Sequence, residues 1–569
     1  MRPESVCFAQ FLCAVLSIGC TPPDPADTAS GSGESTSEAT SVPTSGSPTT
    51  DDTDAITSST SDTTGEPPAP ESAWILYNQD MPMMPGQVAA VRAIEVALDG
   101  GGASPPITVL AAPAGSKLSA GSYAFGHAET RWTAMFSAGA DPRRVWLIDR
   151  ATRTAPEVTL PPEIERVLVT NLYFTGGEPG LLVTSAPLDD NSGEDLEFYV
   201  CPIGDGGTCN LQHVDPPIPA NRKFAGIHGF SGAGGWILYG MQATDGPDNE
   251  LYLGDLEDPA DATMIASIPA EMGVSVEFSP DAHTIYLTVD DVDLRYAIDI
   301  TSDPPGPLVE LHALAIADYK EWNSDRSAAL LWDGPALTGD LYIQPIAGAV
   351  AGPLQPVHTA APGHVVKRSY TWSPDDTRVL FTSDHETPDD PQLYLADAAT
   401  PAAVPTRVNA PLGPGGKVNG GHFLPDSRHA LYYSTPESQA QPELHWVSLD
   451  PPGDPVQISL PQQGAMGLLN GAFDVSADSR RIVFTGEGEP TERSLYLVDI
   501  VDGAPTPAID LTPDVAVQLQ GYLLPGAGHV VFKIADGGLA LISLDPPQPP
   551  LEISDPGETI GFYTVLPPS

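Results

Sequence analysis

From residue 73 onward, short apolar runs alternate with polar turns in a pattern that recurs about every 50 residues. The clearest copy runs Trp372-Ser-Pro-Asp-Asp-Thr-Arg-Val-Leu-Phe381, then a polar loop, then Leu393-Tyr-Leu-Ala-Asp397. Phe278-Ser-Pro-Asp281 leads in the same way to Thr284-Ile-Tyr-Leu287. Phe423-Leu-Pro-Asp426 leads to Ala430-Leu-Tyr-Tyr433, and Val475-Ser-Ala-Asp478 to Ile482-Val-Phe484. Further copies start at Phe125, Phe174, Phe230, Trp322 and Leu523, so anchors are separated by 44 to 56 residues. The runs are rich in Val, Ile, Leu, Phe and Tyr and are bounded by Pro-Asp and Gly-rich turns, which predicts strands rather than helices. Each copy has room for four strands. The second is apolar at consecutive positions, as expected of a strand covered on both faces.

One four-stranded sheet cannot bury both of its faces, whereas a ring of such sheets can. The pattern therefore predicts an all-β chain folded as a single β-propeller of four-stranded blades. Nine whole copies and one split copy make ten blades, with eight as the alternative if the copies at Phe125 and Phe174 are misread. The split copy lies at the chain ends. Trp74-Ile-Leu-Tyr77 reads as a second strand with no first strand before it, and Val565-Leu-Pro-Pro-Ser569 reads as a first strand and its turn. The two are expected to share one closing blade, which removes the sheet edges.

The Phe/Trp-Ser-Pro-Asp, apolar triplet and Leu-Tyr-Leu-x-Asp units resemble the WD40-like repeats of TolB-type periplasmic proteins, over about residues 73–569. That resemblance implies a propeller fold and an envelope location. The family places a small α/β domain before a six-bladed propeller. Here a Ser/Thr-rich segment and more repeats stand instead. Related repeats accompany the hydrolase domain of prolyl-oligopeptidase-like enzymes, for which this chain has no room.

The N-terminus is built differently. Val6 to Ile18 is an apolar run broken only by Gln10 and Ser17, too short to span a bilayer and suited to a signal-peptide core. It ends in Leu16-Ser17-Ile18-Gly19-Cys20, which resembles the lipobox of bacterial lipoproteins, with Ser17 where Leu is usual. The resemblance implies cleavage after residue 19 and acylation of Cys20. Residues 21–72 hold 23 Ser/Thr, ten acids, no Lys or Arg and no aromatic residue. Such a segment buries too little apolar surface to offset its ordering entropy. It reads as a tether of roughly 40 Å as a coil and about 170 Å when stretched. The expected organisation is a signal peptide over 1–19, a tether over 20–72 and the propeller over 73–569. By the same resemblance, Thr21, where Asp would signal inner-membrane retention, implies an outer-membrane or cell-surface location, with the periplasmic side as the alternative.

Cys7 and Cys13 leave with the signal peptide, so Cys201 and Cys209 are the remaining pair. In an exported protein they read as a disulfide, two separate buried thiols being the alternative.

Charge narrows the function. The 75 Asp+Glu against 24 Lys+Arg give a net charge of −51. Residues 73–569 alone keep 64 acids against 23 bases, so the acidity belongs to the repeats and argues against nucleic acid as a partner. The acids gather in the loops between second and third strands: Asp189 and Asp190; Asp290, Asp291 and Asp293; Asp384, Asp389 and Asp390. In a propeller these loops share one face. They are the candidate binding site for a basic envelope protein or, through calcium, for a cation; no other cofactor is expected and no loop follows the EF-hand spacing. Simple solvation of loops in an acidic protein is the alternative.

No catalytic constellation emerges. Gly229-Phe-Ser-Gly-Ala233 lacks the second Gly of a nucleophile elbow and falls on a repeat anchor. His283, His429 and His529 recur at one repeat position, as a turn exit does. The sequence points to a membrane-anchored, non-catalytic propeller that binds a protein or other ligand. The rival is a propeller enzyme of lyase, glycosidase or lactonase type with its site in the central channel.

Overall fold

The computed structural model describes residues 72–566 except for loop stretches such as 121–131, 187–196, 231–235, 290–293, 334–338, 460–472 and 488–492. The signal segment, Cys20 and the tether through residue 71 lie outside the described residues, and Ser72, expected in the tether, opens the first strand.

The described residues contain strands and turns arranged in nine antiparallel sheets. Six sheets, spanning 166–213, 222–269, 274–312, 366–407, 417–457 and 522–552, each run as an up-and-down meander whose strands pair in sequence order; the five-stranded sheets over 320–358 and 473–510 do so through their third strand, which then pairs with both of the last two. The first sheet has nine strands. Its two parts, residues 72–111 with the C-terminal strand and residues 116–158, meet through the single pair Val88↔Leu118.

The apolar second strands explain how the sheets stack. Side chains alternate across a strand, so consecutive apolar residues serve two different interfaces. In Arg378–Ser383, Val379 and Phe381 pack with Leu330, Trp332 and Leu341 of the preceding sheet, while Leu380 packs with Ala430, Tyr432 and Val447 of the following one. In Arg481–Glu487, Ile482 and Phe484 face one neighbour and Val483 the other. In His529–Lys533, Val530 and Phe532 face back, and Val531 faces forward. These residues are almost wholly buried. Gly421, on the inner strand Lys417–Phe423, and Gly521, just before the inner strand Tyr522–Leu523, occupy one repeat position, where a Cβ would come within 2.8 Å of Leu380 and 2.9 Å of Leu495, respectively. A larger residue at either place would have to displace those leucine side chains.

The last interface closes the circle. Leu524, Val531, Leu539 and Leu541 of the final sheet pack against Ala73, Ile75, Tyr77 and Ile94 of the first. The C-terminal strand Ile560–Leu566 pairs antiparallel with Ser72–Met81, with Val565 opposite Ile75 and Tyr563 opposite Tyr77. The N- and C-terminal strands thus share one sheet, as the terminal sequences predict, and the edge of Ser72–Met81 is covered. The fold is an all-β propeller.

Candidate functional site

The recurring Pro-Asp turn is the first place where polar side chains do more than their local pattern suggests. In Ser373–Thr377, Ser373 Oγ accepts the Arg378 N–H at 2.9 Å and donates to Asp375 Oδ1 at 2.6 Å, and Asp375 in turn accepts from Thr377. Ser476 and Asp478 repeat the arrangement. Burial works against the charged forms of Asp375 and Asp478, but these hydrogen bonds outweigh it and hold both carboxyls below their usual range.

The next residue in each turn takes a left-handed conformation: φ is 58° at Asp376, 58° at Ser427 and 60° at Ser479. That conformation carries the side chain back toward the preceding sheet. Asp376 accepts the Ser324 N–H at 3.0 Å, Ser427 Oγ accepts the Asp375 N–H at 3.0 Å, and Ser479 Oγ accepts the Asp426 N–H at 3.0 Å. Arg378 donates to the Ser427 carbonyl and Arg481 to the Ala527 carbonyl. Arg481 also pairs with Asp545 at 2.8 Å. The turns form a belt of sheet-to-sheet hydrogen bonds. The sequence reading assigned these residues only to a turn; the available signal was a polar residue recurring where Gly would be simplest.

The innermost strands carry a second set. Glu277, Glu321, Thr371, His422, Asp474 and Tyr522 share one register position, immediately before the anchor residue of each repeat. Glu321 Oε1 accepts from Thr371 Oγ1 at 2.8 Å and from the Trp372 N–H at 3.2 Å, and the Trp372 ring N–H donates to the Glu321 carbonyl at 3.2 Å. Asp474 Oδ2 accepts the Leu523 N–H at 2.7 Å. Each carboxyl therefore reaches the inner strand of the next sheet. Burial pushes Glu321 up to about 7 and Asp474 up to about 6, against the hydrogen bonds that favour the charged forms. Burial alone lowers His422. Nothing in the local sequence singled out these positions.

A third set lies at the ring closure. Arg92 pairs with Asp555 at 2.7 Å and with the buried Glu558, and Tyr77 donates to Glu558 at 3.0 Å. This ties the segment before the C-terminal strand to the first sheet.

The residues expected to form the functional face divide. Asp189, Asp190, Asp290, Asp291 and Asp293 lie outside the described residues. Asp384 is buried and accepts the Asp389 N–H at 3.0 Å; Asp390 accepts from Gln392 at 2.8 Å; Glu386 pairs with Arg407 at 2.7 Å. This one described loop is hydrogen-bonded to itself and its own sheet. No group of three metal-ligating side chains occurs among the described residues. Cys201 and Cys209 are disulfide-bonded, with Cα atoms 5.6 Å apart. His429 opens its strand, stacks on Trp446 and contacts Asp426 of its own turn at 2.6 Å, as a turn-exit residue does. Gly229 and Phe230 end the strand Arg222–Phe230, and Ser231 lies outside the described residues.

No family model matches the chain, and no curated protein matches it. Among solved structures, a eukaryotic initiation factor aligns with a TM-score of 0.46 and 11% identity, over 88% of this chain and 99% of that one. TolB from Acinetobacter baumannii aligns at 0.26 and 14% identity, over 59% and 83% of the two chains. The C-terminal WD40 domain of Sif2 aligns at 0.29 and 12% identity, over 65% and 92%. Identities and scores this low say nothing of activity; the fold rests on the sheet order and the closing strand. The chain is a propeller of small antiparallel sheets that has TolB and WD40 structures among its neighbours.

Proposed function

We propose that this chain is an exported, lipid-anchored propeller that serves as a non-catalytic binding scaffold in the bacterial envelope. Cys20 carries the lipid, residues 21–72 hold the ring away from the membrane, and the acidic loops between second and third strands receive a basic protein. In this reading the nine-stranded sheet is two blades joined at one residue pair, so the ring has ten. The observation that supports it best is the belt of hydrogen bonds through Asp376, Ser427 and Ser479 together with the shared terminal sheet. Polar side chains that elsewhere would be free for chemistry here join sheet to sheet, which makes a stiff platform from which loops project.

Two measurements test this. Metabolic labelling with an alkyne palmitate should tag the full chain and fail for Cys20→Ser, which should leave the membrane fraction; equal labelling or fractionation of the two would refute the anchor. A polylysine peptide should bind the full chain with an affinity that falls steeply as salt rises, whereas a neutral peptide of equal length should not. Equal affinity for the two peptides would refute the acidic docking face. The channel enzyme remains the second reading, favoured by the common register of His422, Asp474 and Tyr522 on three successive inner strands.

A further inference from the structure

The innermost strands invert the charge of the rest of the chain. Across residues 73–569, acids outnumber bases by 64 to 23. The first strands of the sheets, taken with Ser116–Ala120 and the C-terminal strand, carry eight Lys and Arg against three Asp and Glu. Five of the six Lys in the chain stand on them: Lys117, Lys223, Lys320, Lys367 and Lys417. Lys117, Arg166, Lys223 and Lys417 also share one register position. They pair with Ala138, Ala186, Gln242 and Thr435, each six residues along the second strand from the pair it makes with the end of the third. The three acids, Glu277, Glu321 and Asp474, stand next to the anchor residue at the other end of their strands, and Glu321 and Asp474 are hydrogen-bonded to the following inner strand. The bases therefore gather at one mouth of the ring, where the second strands pass into the acidic loops.

Two of these lysines stand on strands in direct contact. Lys367 is the second residue of Val366–Trp372 and Lys417 the first of Lys417–Phe423, and these two strands pack on one another. Their closest approach is near the mouth, where a Cβ at Gly420 would come within 3.2 Å of Ser369 Oγ. Lys417 is exposed and Lys367 half-buried. Neither has an ion pair among the described residues. Asp384, which follows the partner of Val366, accepts the Asp389 N–H, and Asp390 accepts from Gln392. Arg222, beside Lys223, is already held by Glu250 at 2.7 Å and is no part of the site.

We propose that this mouth of the central channel binds a small ligand carrying two or more carboxylate or phosphate groups, with Lys367 and Lys417 as its principal counter-charges. A concave site lined by one sign of charge focuses the field and concentrates ions of the other sign. The remaining bases around the mouth add to that field, while the acidic loops outside it repel a long polyanion and so select a small one. The inference goes beyond the acidic docking face and does not depend on it: the loops form a negative collar, and the inner strands a positive ring within it.

The test is calorimetric titration of the full chain with sodium tricarballylate and, separately, with sodium phosphate, each against sodium chloride at equal ionic strength. Saturable binding of at least one anion is expected, and the stronger arm identifies a polycarboxylate or a phosphate as the ligand class. The double variant Lys367→Gln/Lys417→Gln should weaken that binding at least tenfold while melting cooperatively. If it does not fold, Lys417→Gln alone, a change at an exposed residue, carries the test and should weaken binding at least threefold. Arg428→Gln removes an exposed charge from the turn at the other end of the same sheet and should leave binding unchanged. A response no different from sodium chloride in both arms overturns the proposal, as does binding that survives Lys417→Gln unchanged or falls equally with Arg428→Gln. Polylysine binding should survive the double variant, so failure here is distinguishable from failure of the acidic docking face.

Discussion

Glu321→Gln isolates the cost of holding a carboxyl between two inner strands. Glu321 Oε1 alone accepts both Thr371 Oγ1 and the Trp372 N–H, so a glutamine oxygen at the same place keeps both bonds and only the ionisation is lost. Burial pushes the carboxyl from 4.5 up to about 7. A carboxyl raised on folding contributes stability that is complete below its unfolded value, declines through the interval from about 4.5 to 7, and is absent above it. Each pKa unit corresponds to about 1.4 kcal/mol, so the wild type should lose up to about 3 kcal/mol across that window. The residue keeps partial solvent contact, which sets about 1 kcal/mol as the lower end of the effect. Wild type and Glu321→Gln should therefore be nearly equal in guanidinium unfolding at pH 4.5, while the variant should be more stable by about 1–3 kcal/mol at pH 8. Trp322 and Trp372 flank the site and supply the fluorescence signal. A variant less stable than wild type at pH 8 would show that the carboxylate charge favours the fold, and would refute the reasoning.

The same denaturation assay checks the belt. Ser427→Ala removes the acceptor of the Asp375 N–H and should cost about 1 kcal/mol, whereas Ser→Ala at an exposed loop position should cost almost nothing. Deleting residues 560–569 removes the partner of Ser72–Met81 and uncovers its edge; light scattering should report concentration-dependent association, and a monomeric, fully stable truncation would contradict the closing role. Cys201→Ser opens a bridge across a sequence separation of 8, which the chain-entropy relation values at about 2.5 kcal/mol. The loss should vanish when both proteins are measured under reducing conditions.

Much of the architecture is legible without coordinates because it depends on local periodicity. Val379, Leu380 and Phe381 are consecutive apolar residues in a short run, and such a strand has to be covered on both faces. The terminal match between Val565 and Phe423 could be read for the same reason: each is the anchor of a first strand, and the structure pairs them with Ile75 and Ala430 at equivalent places. The Cys201–Cys209 pair needed only proximity along the chain. The acidic loops show where this kind of reading stops. Asp384 and Asp390 were noted as negative charge at a surface, and in the structure Asp384 accepts a hydrogen bond from its own loop and Asp390 one from Gln392 at the start of the next strand.

The amino-acid sequence by itself determined the strand content, the repeat and the way the ends meet, because each follows from which residues alternate over a few positions. Only the tertiary structure decided what the polar residues of the repeat do. Asp376 reaches Ser324, Ser427 reaches Asp375, and Asp474 reaches Leu523, across separations of 49 to 52 residues. These partners are neighbours because adjacent sheets pack face to face, and a contact made by stacking one repeat on the next leaves no trace in the spacing within either repeat.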